Sequence, residues 1–426
     1  MRTNKIIEAI HEGRLDERLT EIYADPYIIP YEKKRYEQAL YQYNATFGAD
    51  EVDIFSAPGR SEIGGNHTDH QHGEVLAASI NRDAIAIVKK LNRPRVTILS
   101  DGYTSEIKVD IDDLDKRKSE EGTTAALIRG VLAKIQINGY SIGGFQAYIT
   151  SDVLIGAGLS SSAAFETLIG TIISYLYNNN EISAVEIAKI GQYAENVYFG
   201  KPCGLMDQMA CSVGSLVHIN FADVKRPKIE QVQLNLDAHG YSLCITDTKG
   251  SHADLTPDYA AIPQEMKQVA EFFGKEVLGE VSKQDILRDI PQIREKAGDR
   301  AFLRAIHFMN ENERVQQEAE ALKQDHFSEF LELVKESGNS SYKYLQNVYT
   351  SRYIRHQNLS VALAVSDMVL GKQGASRVHG GGFAGTIQAF VPENMVEDYQ
   401  EAMEDIFGEG TCQVLKIRKY GGVKVL

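Results

Sequence analysis

The chain has 426 residues, 43% of them hydrophobic and 24% charged, and a formal net charge of −14. That length exceeds one small core and predicts two domains or two joined lobes, and the composition is that of an ordinary globular protein. The acidic balance excludes a nucleic-acid backbone as partner, because such binding needs clustered Lys and Arg.

Four cysteines, Cys203, Cys211, Cys244 and Cys412, lack C-x-x-C spacing and predict reduced thiols in a cytoplasmic protein. The N-terminus lacks the apolar core of a signal peptide, and no window approaches a membrane span, so no membrane partner is expected. The sequence leaves the oligomeric state open.

In chain order, residues 1–47 carry apolar residues at helical spacing (Ile6, Ile7, Ile10, Leu15, Leu19, Ile22), which predicts helices ahead of the main fold. A short strand at 53–59 enters a turn, and strands are expected at Ala84–Lys89, Arg95–Ser100, Glu106–Asp110 and Phe145–Thr150. Helical patterns cover Thr123–Asn138, Ser161–Tyr177 and Ser183–Phe199. A second sheet is expected to begin near Val213–Asn220, with further strands at Val232–Leu236 and Ser242–Asp247. Charged helical stretches follow across 260–345, then a strand at Thr386–Val391 and a helix at Glu393–Phe407. Runs of strands and runs of helices without βαβ alternation predict an α+β fold. The expected lobes are 1–215 and 216–426, closely packed.

Four segments carry candidate chemistry. The run Gly156-Ala157-Gly158-Leu159-Ser160-Ser161-Ser162-Ala163 follows a strand and opens a helix, the arrangement of a phosphate cradle. The lysine of G-x-x-x-x-G-K-[ST] is missing, which disfavours an ordinary P-loop; small residues opening a tightly packed helix are the alternative. The polar run 57–73 holds Arg60, whose planar fork suits phosphate or a developing oxyanion, and Asn66 and Asp69, residue types that grip sugar hydroxyls. A solvated loop, or metal ligation by His67, Asp69, His70 and His72, is the alternative there. In Glu195–Gln208, Asp207 follows a Pro–Gly break, where it is either a general base or a helix cap. Ser376–Gly385, with its consecutive glycines from Gly380, is either a ligand loop or a plain turn.

Together these segments resemble the GHMP small-molecule kinases, most closely their galactokinase branch. Gly59-Arg60 and His67-Thr68-Asp69 sit at the spacing of the family opening G-R-x-N-L-I-G-E-H-T-D, and G-L-S-S-S-A is intact at Gly158–Ala163. C-G-I-M-D-Q appears as Cys203-Gly-Leu-Met-Asp207-Gln208, and G-A-G-F-G-G as Gly380-Gly-Gly-Phe-Ala-Gly385. Four matches in the family's order are far more specific than one.

The resemblance implies a two-lobed fold with its active site between the lobes, ATP as phosphoryl donor, and transfer to the anomeric hydroxyl of galactose. It implies Asp207 as base, Arg60 as its charge-stabilising partner, and Ser162 and Glu195 as Mg²⁺ ligands. Asn66, His67, Asp69, Gly204 and Tyr259 match sugar-contacting positions, and Gly156 with Gly158–Ala163 the ATP loop. The motif also departs from the family: Asn66 replaces Glu, Glu62 replaces Asn, Gly64 replaces an apolar residue and His70 replaces Tyr. These departures leave open a related sugar (N-acetylgalactosamine, arabinose, fucose or a uronic acid) or a sugar and ATP sensor without turnover. A kinase for another small metabolite and a metal-dependent hydrolase are more distant alternatives.

Overall fold

The computed structural model describes residues 1–153, 158–250 and 255–426. Three helices, α1 (Thr3–His11), α2 (Asp16–Tyr23) and α3 (Ile29–Phe47), open the chain. Then come β1 (Asp53–Gly64), β2 (Glu74–Lys90), β3 (Arg95–Ser100), β4 (Ile107–Asp110), α4 (Thr124–Ile137), β5 (Phe145–Ser151), α5 (Ser161–Tyr177) and α6 (Ala184–Tyr193). A π-helical turn at Ala194–Phe199 leads to α7 (Met206–Val213), β6 (Leu216–Asn220), β7 (Lys228–Val232) and β8 (Tyr241–Asp247). The helical run expected over 260–345 is α8 (Thr256–Phe272), α9 (Lys283–Arg288), α10 (Ile290–Ala297), α11 (Asp299–Lys323) and α12 (Phe327–Ser340). Last are α13 (Asn358–Leu370), β9 (Ala375–His379), β10 (Thr386–Pro392), α14 (Val396–Phe407), β11 (Cys412–Leu415) and β12 (Val423–Lys424).

The fold is α+β, built on two largely antiparallel sheets. The first runs β12-β1-β2-β5-β3-β4, with β6 and β7 added alongside β2. The second is β11-β8-β10-β9. Alternation along β1 sends Phe55 and Ala57 into a core with α4, α5 and α6, while Ile54 faces α1–α3. Both faces of the first sheet are therefore covered, and the role of residues 1–47 is to seal one of them. Leu168, Ile169, Ile172 and Ile173 form the apolar stripe by which α5 joins the first core.

Three sequence expectations are corrected. The strand near 213–220 does not begin a second sheet: β6 pairs with the first part of β2, Glu74 opposite Asn220, and β7 follows on β6. β2 is long enough to give one edge to β1 and to divide the other between β6 and β5, a pairing that local periodicity does not reveal. The second sheet starts at β8, and the strand expected at Val232–Leu236 lies earlier, at Lys228–Val232. The strand expected to stop at residue 59 instead runs on to Gly64 through buried polar residues. They stay in the sheet because Arg377, His379 and Gln388 bond to Ser61 and Glu62.

Candidate active site

Arg60 projects from β1, where register shifts at Pro58–Arg60 and Glu62–Gly64 bend the strand. Its Nε donates to Asp207 Oδ1 at 2.7 Å, and its Nη1 donates to the carbonyl of Gly158. Asp207 occupies the first turn of α7, and Ser160 Oγ donates to its Oδ2 at 2.5 Å. Burial opposes ionisation of Asp207, but the charge and hydrogen bond of Arg60, together with the Ser160 hydroxyl, hold the carboxyl below its ordinary value. Asp207 is thus an anion tied to a guanidinium and to the loop that opens α5.

That loop makes a left-handed turn, with Gly158 at φ +68° and Ser160 at φ +59°. A side chain at Gly158 would meet Thr386 Oγ1 at 2.7 Å, so glycine lets the loop close on β10. The N–H groups of the first turn of α5 lack helical partners and favour an anion. Of the expected loop residues, Gly158 to Ser162 line the cleft, while Ala163 is buried behind them. Gly156 lies outside the described residues.

In the first turn of α5, Ser162 Oγ donates to Glu195 Oε1 at 3.1 Å. Glu195 sits in the π turn, and Lys201 Nζ reaches the same oxygen at 3.2 Å. Its other oxygen accepts from Gln208 Nε2 at 2.8 Å, and that amide nitrogen also donates to Glu166 Oε2 at 3.0 Å. Burial, and then the Glu195 charge, push the Glu166 carboxyl well above its ordinary value.

On the opposite wall, His67 Nε2 donates to the carbonyl of Gly381 at 2.9 Å. Burial lowers its pKa to about 3, so the ring is neutral. The Tyr259 hydroxyl donates to the carbonyl of Gly382 at 2.5 Å, and a side chain at Gly381 would meet the Tyr259 ring at 2.7 Å. Asp69 packs on Gly204, where a Cβ would fall 1.8 Å from Asp69 Oδ2. Arg60, His67, Asp207, Tyr259, His379 and the phosphate loop line a cleft of about 1580 Å³, room for two substrates side by side.

Asn66 does not face that cleft. Its side chain is fully enclosed: Nδ2 donates to Glu62 Oε1 at 2.9 Å and to the Gly380 carbonyl at 2.7 Å. Its Oδ1 accepts from Asn347 Nδ2 at 2.8 Å and from Ser341 Oγ at 3.2 Å. The direct sugar contact expected of Asn66 is therefore not made, because every hydrogen-bonding site of its amide is already used. The departures at 62 and 66 are two halves of one exchange: the carboxylate now stands at 62, where Arg377 Nη2 donates to it at 2.5 Å. The third departure is compensated too, since a Cβ at Gly64 would lie 1.9 Å from Glu318 Oε2.

Residues 126–215 match the GHMP kinases N terminal domain, and residues 41–90 match the galactokinase galactose-binding signature. A galactokinase from Glaesserella parasuis is 30% identical over 378 residues, 87% of this chain and 93% of that protein. The chain belongs to the galactokinase family. A second family member, the galactokinase of Actinobacillus pleuropneumoniae, is 29% identical over 89% of this chain and 95% of its own length. The crystal structure of Lactococcus lactis galactokinase complexed with galactose has the same fold. Its TM-score is 0.77 at 24% identity, covering 90% of this chain and 98% of that one.

In this galactokinase-family chain, His67 and Gly381, 314 residues apart, meet across the cleft, while Arg60, Ser160 and Asp207 form one hydrogen-bonded group and Ser162 with Glu195 a second beside it. The His67–His72 segment does not assemble as a metal centre: among the described residues no group of three or more potential metal ligands occurs. Sequence reasoning gave no role to Lys201, Gln208, Glu166 or His379. His379 accepts from the Glu62 N–H at 3.1 Å through Nε2, which leaves the Nδ1 proton for Thr386 Oγ1 at 2.9 Å. Gln208 closes one motif and Lys201 and His379 lie close to motif residues, but only the folded chain reveals what they touch. No helix among the described residues is long and apolar enough to cross a membrane.

Proposed function

We propose that this chain is an ATP-dependent sugar-1-kinase that transfers the γ-phosphoryl group to the anomeric hydroxyl of galactose. The observation that carries this reading is the Arg60–Asp207 pair at 2.7 Å, set beside the phosphate loop and inside the cleft. The sugar's C1 hydroxyl attacks phosphorus, the new O–P bond forms as the bond to the leaving diphosphate breaks, and Asp207 receives the hydroxyl proton. A carboxylate held below its ordinary pKa is a weak base. That suffices, because the loose transition state of phosphoryl transfer needs little charge on the attacking oxygen before the proton leaves. Arg60 neutralises charge on that oxygen.

Tyr259, His67 and Asp69, the last seated on Gly204, are proposed to hold the sugar, and Gly158–Ser162 the phosphates. Ser162 and Glu195 are suited to Mg²⁺. Their oxygens are 3.1 Å apart, close to the separation of neighbouring ligands in an octahedron with bonds of about 2.0–2.1 Å. Ser162 and Glu195 would hold the ion, which would supply positive charge to offset that of the phosphates.

The test is ATP consumption with Mg²⁺ across galactose, N-acetylgalactosamine, glucose, fucose, arabinose and galacturonic acid, with phosphorus NMR to locate the product phosphate. Turnover of galactose with phosphate on the anomeric oxygen is the expected result. Binding of sugar and ATP without turnover of any sugar would replace this reading with a sensor.

A further inference from the structure

Lys201 has no part in any motif that led to the site, yet its ammonium lies inside it. The π turn at Ala194–Phe199 ends with the N–H groups of Gly200 and Lys201 both donating to the carbonyl of Glu195, at 3.0 and 3.1 Å. This widened turn folds the chain back on itself, so that Lys201 returns over Glu195, six residues earlier. Inserted π turns of this kind recur at functional sites. Lys201 Nζ then shares Glu195 Oε1 with Ser162 Oγ, and its side chain lines the cleft beside Gly158–Ser162 and Asp207.

We infer that Lys201 is a catalytic residue of this chain, a resident cation that binds the phosphates of the nucleotide at the mouth of the α5 loop. The inference rests on the kinase reading above. The α5 loop lacks the lysine that P-loops place among the phosphates, and its other donors are neutral N–H and hydroxyl groups. Arg60 is committed to Asp207 and to the Gly158 carbonyl. Lys201 supplies the missing charge from a different segment, and Glu195 orients it. An ammonium is a compact point charge on a flexible stem, suited to following phosphate oxygens as they separate. Because it also contacts the carboxylate suited to Mg²⁺, Lys201 competes with the ion for Glu195 while substituting for part of its charge.

The experiment is calorimetric binding of ATP in EDTA, without any divalent ion, to the full chain and to Lys201→Met and Lys201→Arg. Thermal melts confirm that each variant is folded; the Lys201 side chain is exposed and no part of the hydrophobic core, so folding is retained. Hydrogen bonds to charged groups correspond to about ten- to a hundred-fold in affinity. Lys201→Met is expected to weaken metal-free ATP binding by about ten-fold or more, Lys201→Arg to restore most of it, and the methionine variant to need less Mg²⁺ for half-maximal ATP binding. Unchanged ATP affinity in Lys201→Met, within two-fold, overturns the inference and leaves the kinase reading standing. A wild-type chain that binds no ATP with or without Mg²⁺ overturns both.

Discussion

Arg60 and Asp207, 147 residues apart in sequence, meet through a 2.7 Å hydrogen bond between a guanidinium and a carboxylate, and Ser160 holds the carboxylate's other oxygen. The pair fixes where a proton can go. Asp207→Asn keeps the size and most of the hydrogen bonding but removes the acceptor of the proton. Turnover should fall by about 10²–10⁴-fold, while ATP affinity, set by the α5 loop and Lys201, stays within about two-fold. Initial rates and calorimetry on the same preparation check this; near-wild-type turnover would remove Asp207 from the base role.

Asn66→Glu would bring a second carboxylate against Glu62 Oε1 and the Gly380 carbonyl, both of which now accept from the Asn66 amide. Leaving a buried charge uncompensated costs about 3–5 kcal/mol. The single variant should lose roughly that much stability in urea denaturation, without a new sugar preference. The exchange Glu62→Asn with Asn66→Glu should recover part of the loss, since contacting residues couple by about 0.5–3 kcal/mol. A stable Asn66→Glu chain with an altered sugar profile would return Asn66 to the role of specificity switch.

These residues mark what the sequence conveys and what it withholds. The phosphate loop, Arg60 and Asp207 were legible because each lies in a short motif whose spacing is itself the chemistry, and Glu195 only through the family resemblance. The helix at Ser161–Tyr177 was legible to the residue, since its apolar stripe follows one period. Asn66 was not, because its place in the turn just after β1 does not say whether a side chain faces substrate or a protein partner 281 residues later, as Asn347 is. The polar stretch Ser61–Gly64 resembled a loop for the same reason: its partners, Arg377, His379, Gln388 and Glu318, come from the far end of the chain. The placement of β6 and β7 depended on an edge of β2 that only the assembled sheet exposes.

Gly204 gives a test of the sugar side. Its φ is not left-handed, so alanine strains no backbone, but the added Cβ would lie 1.8 Å from Asp69 Oδ2. The carboxylate can swing aside, so stability should change by less than about 1 kcal/mol, as for a surface-like adjustment. Displacing a substrate-positioning group by about 1 Å can cost up to about 10²-fold. Gly204→Ala should therefore raise the KM for galactose about ten-fold or more, with the KM for ATP within two-fold. Equal effects on both substrates would mean that Asp69 does not contact the sugar.

The acid limit of stability should be set partly by Glu311, beneath the sugar loop. Its Oε1 accepts from the Gly65 N–H at 3.2 Å and from Ser337 Oγ at 2.5 Å, and Arg314 Nη1 donates to Oε2. Burial opposes its ionisation, but His307, Arg314, Arg377 and the Ser337 hydroxyl lower its pKa from 4.5 to about 2. A folded pKa below the unfolded one contributes stability that is complete above about pH 4.5 and lost as pH falls toward 2. At about 1.4 kcal/mol per pH unit, this is on the order of 3 kcal/mol. Glu318 has the opposite sign, its pKa raised first by burial and then by the Glu311 charge. Its contribution is complete below its ordinary value, so it does not mask the acid limb. Urea denaturation of wild type and Glu311→Gln at pH 7, 4 and 3 reads the effect. The wild-type advantage should be largest at pH 7 and shrink steadily as the pH falls; an advantage independent of pH would show that Glu311 acts through packing alone.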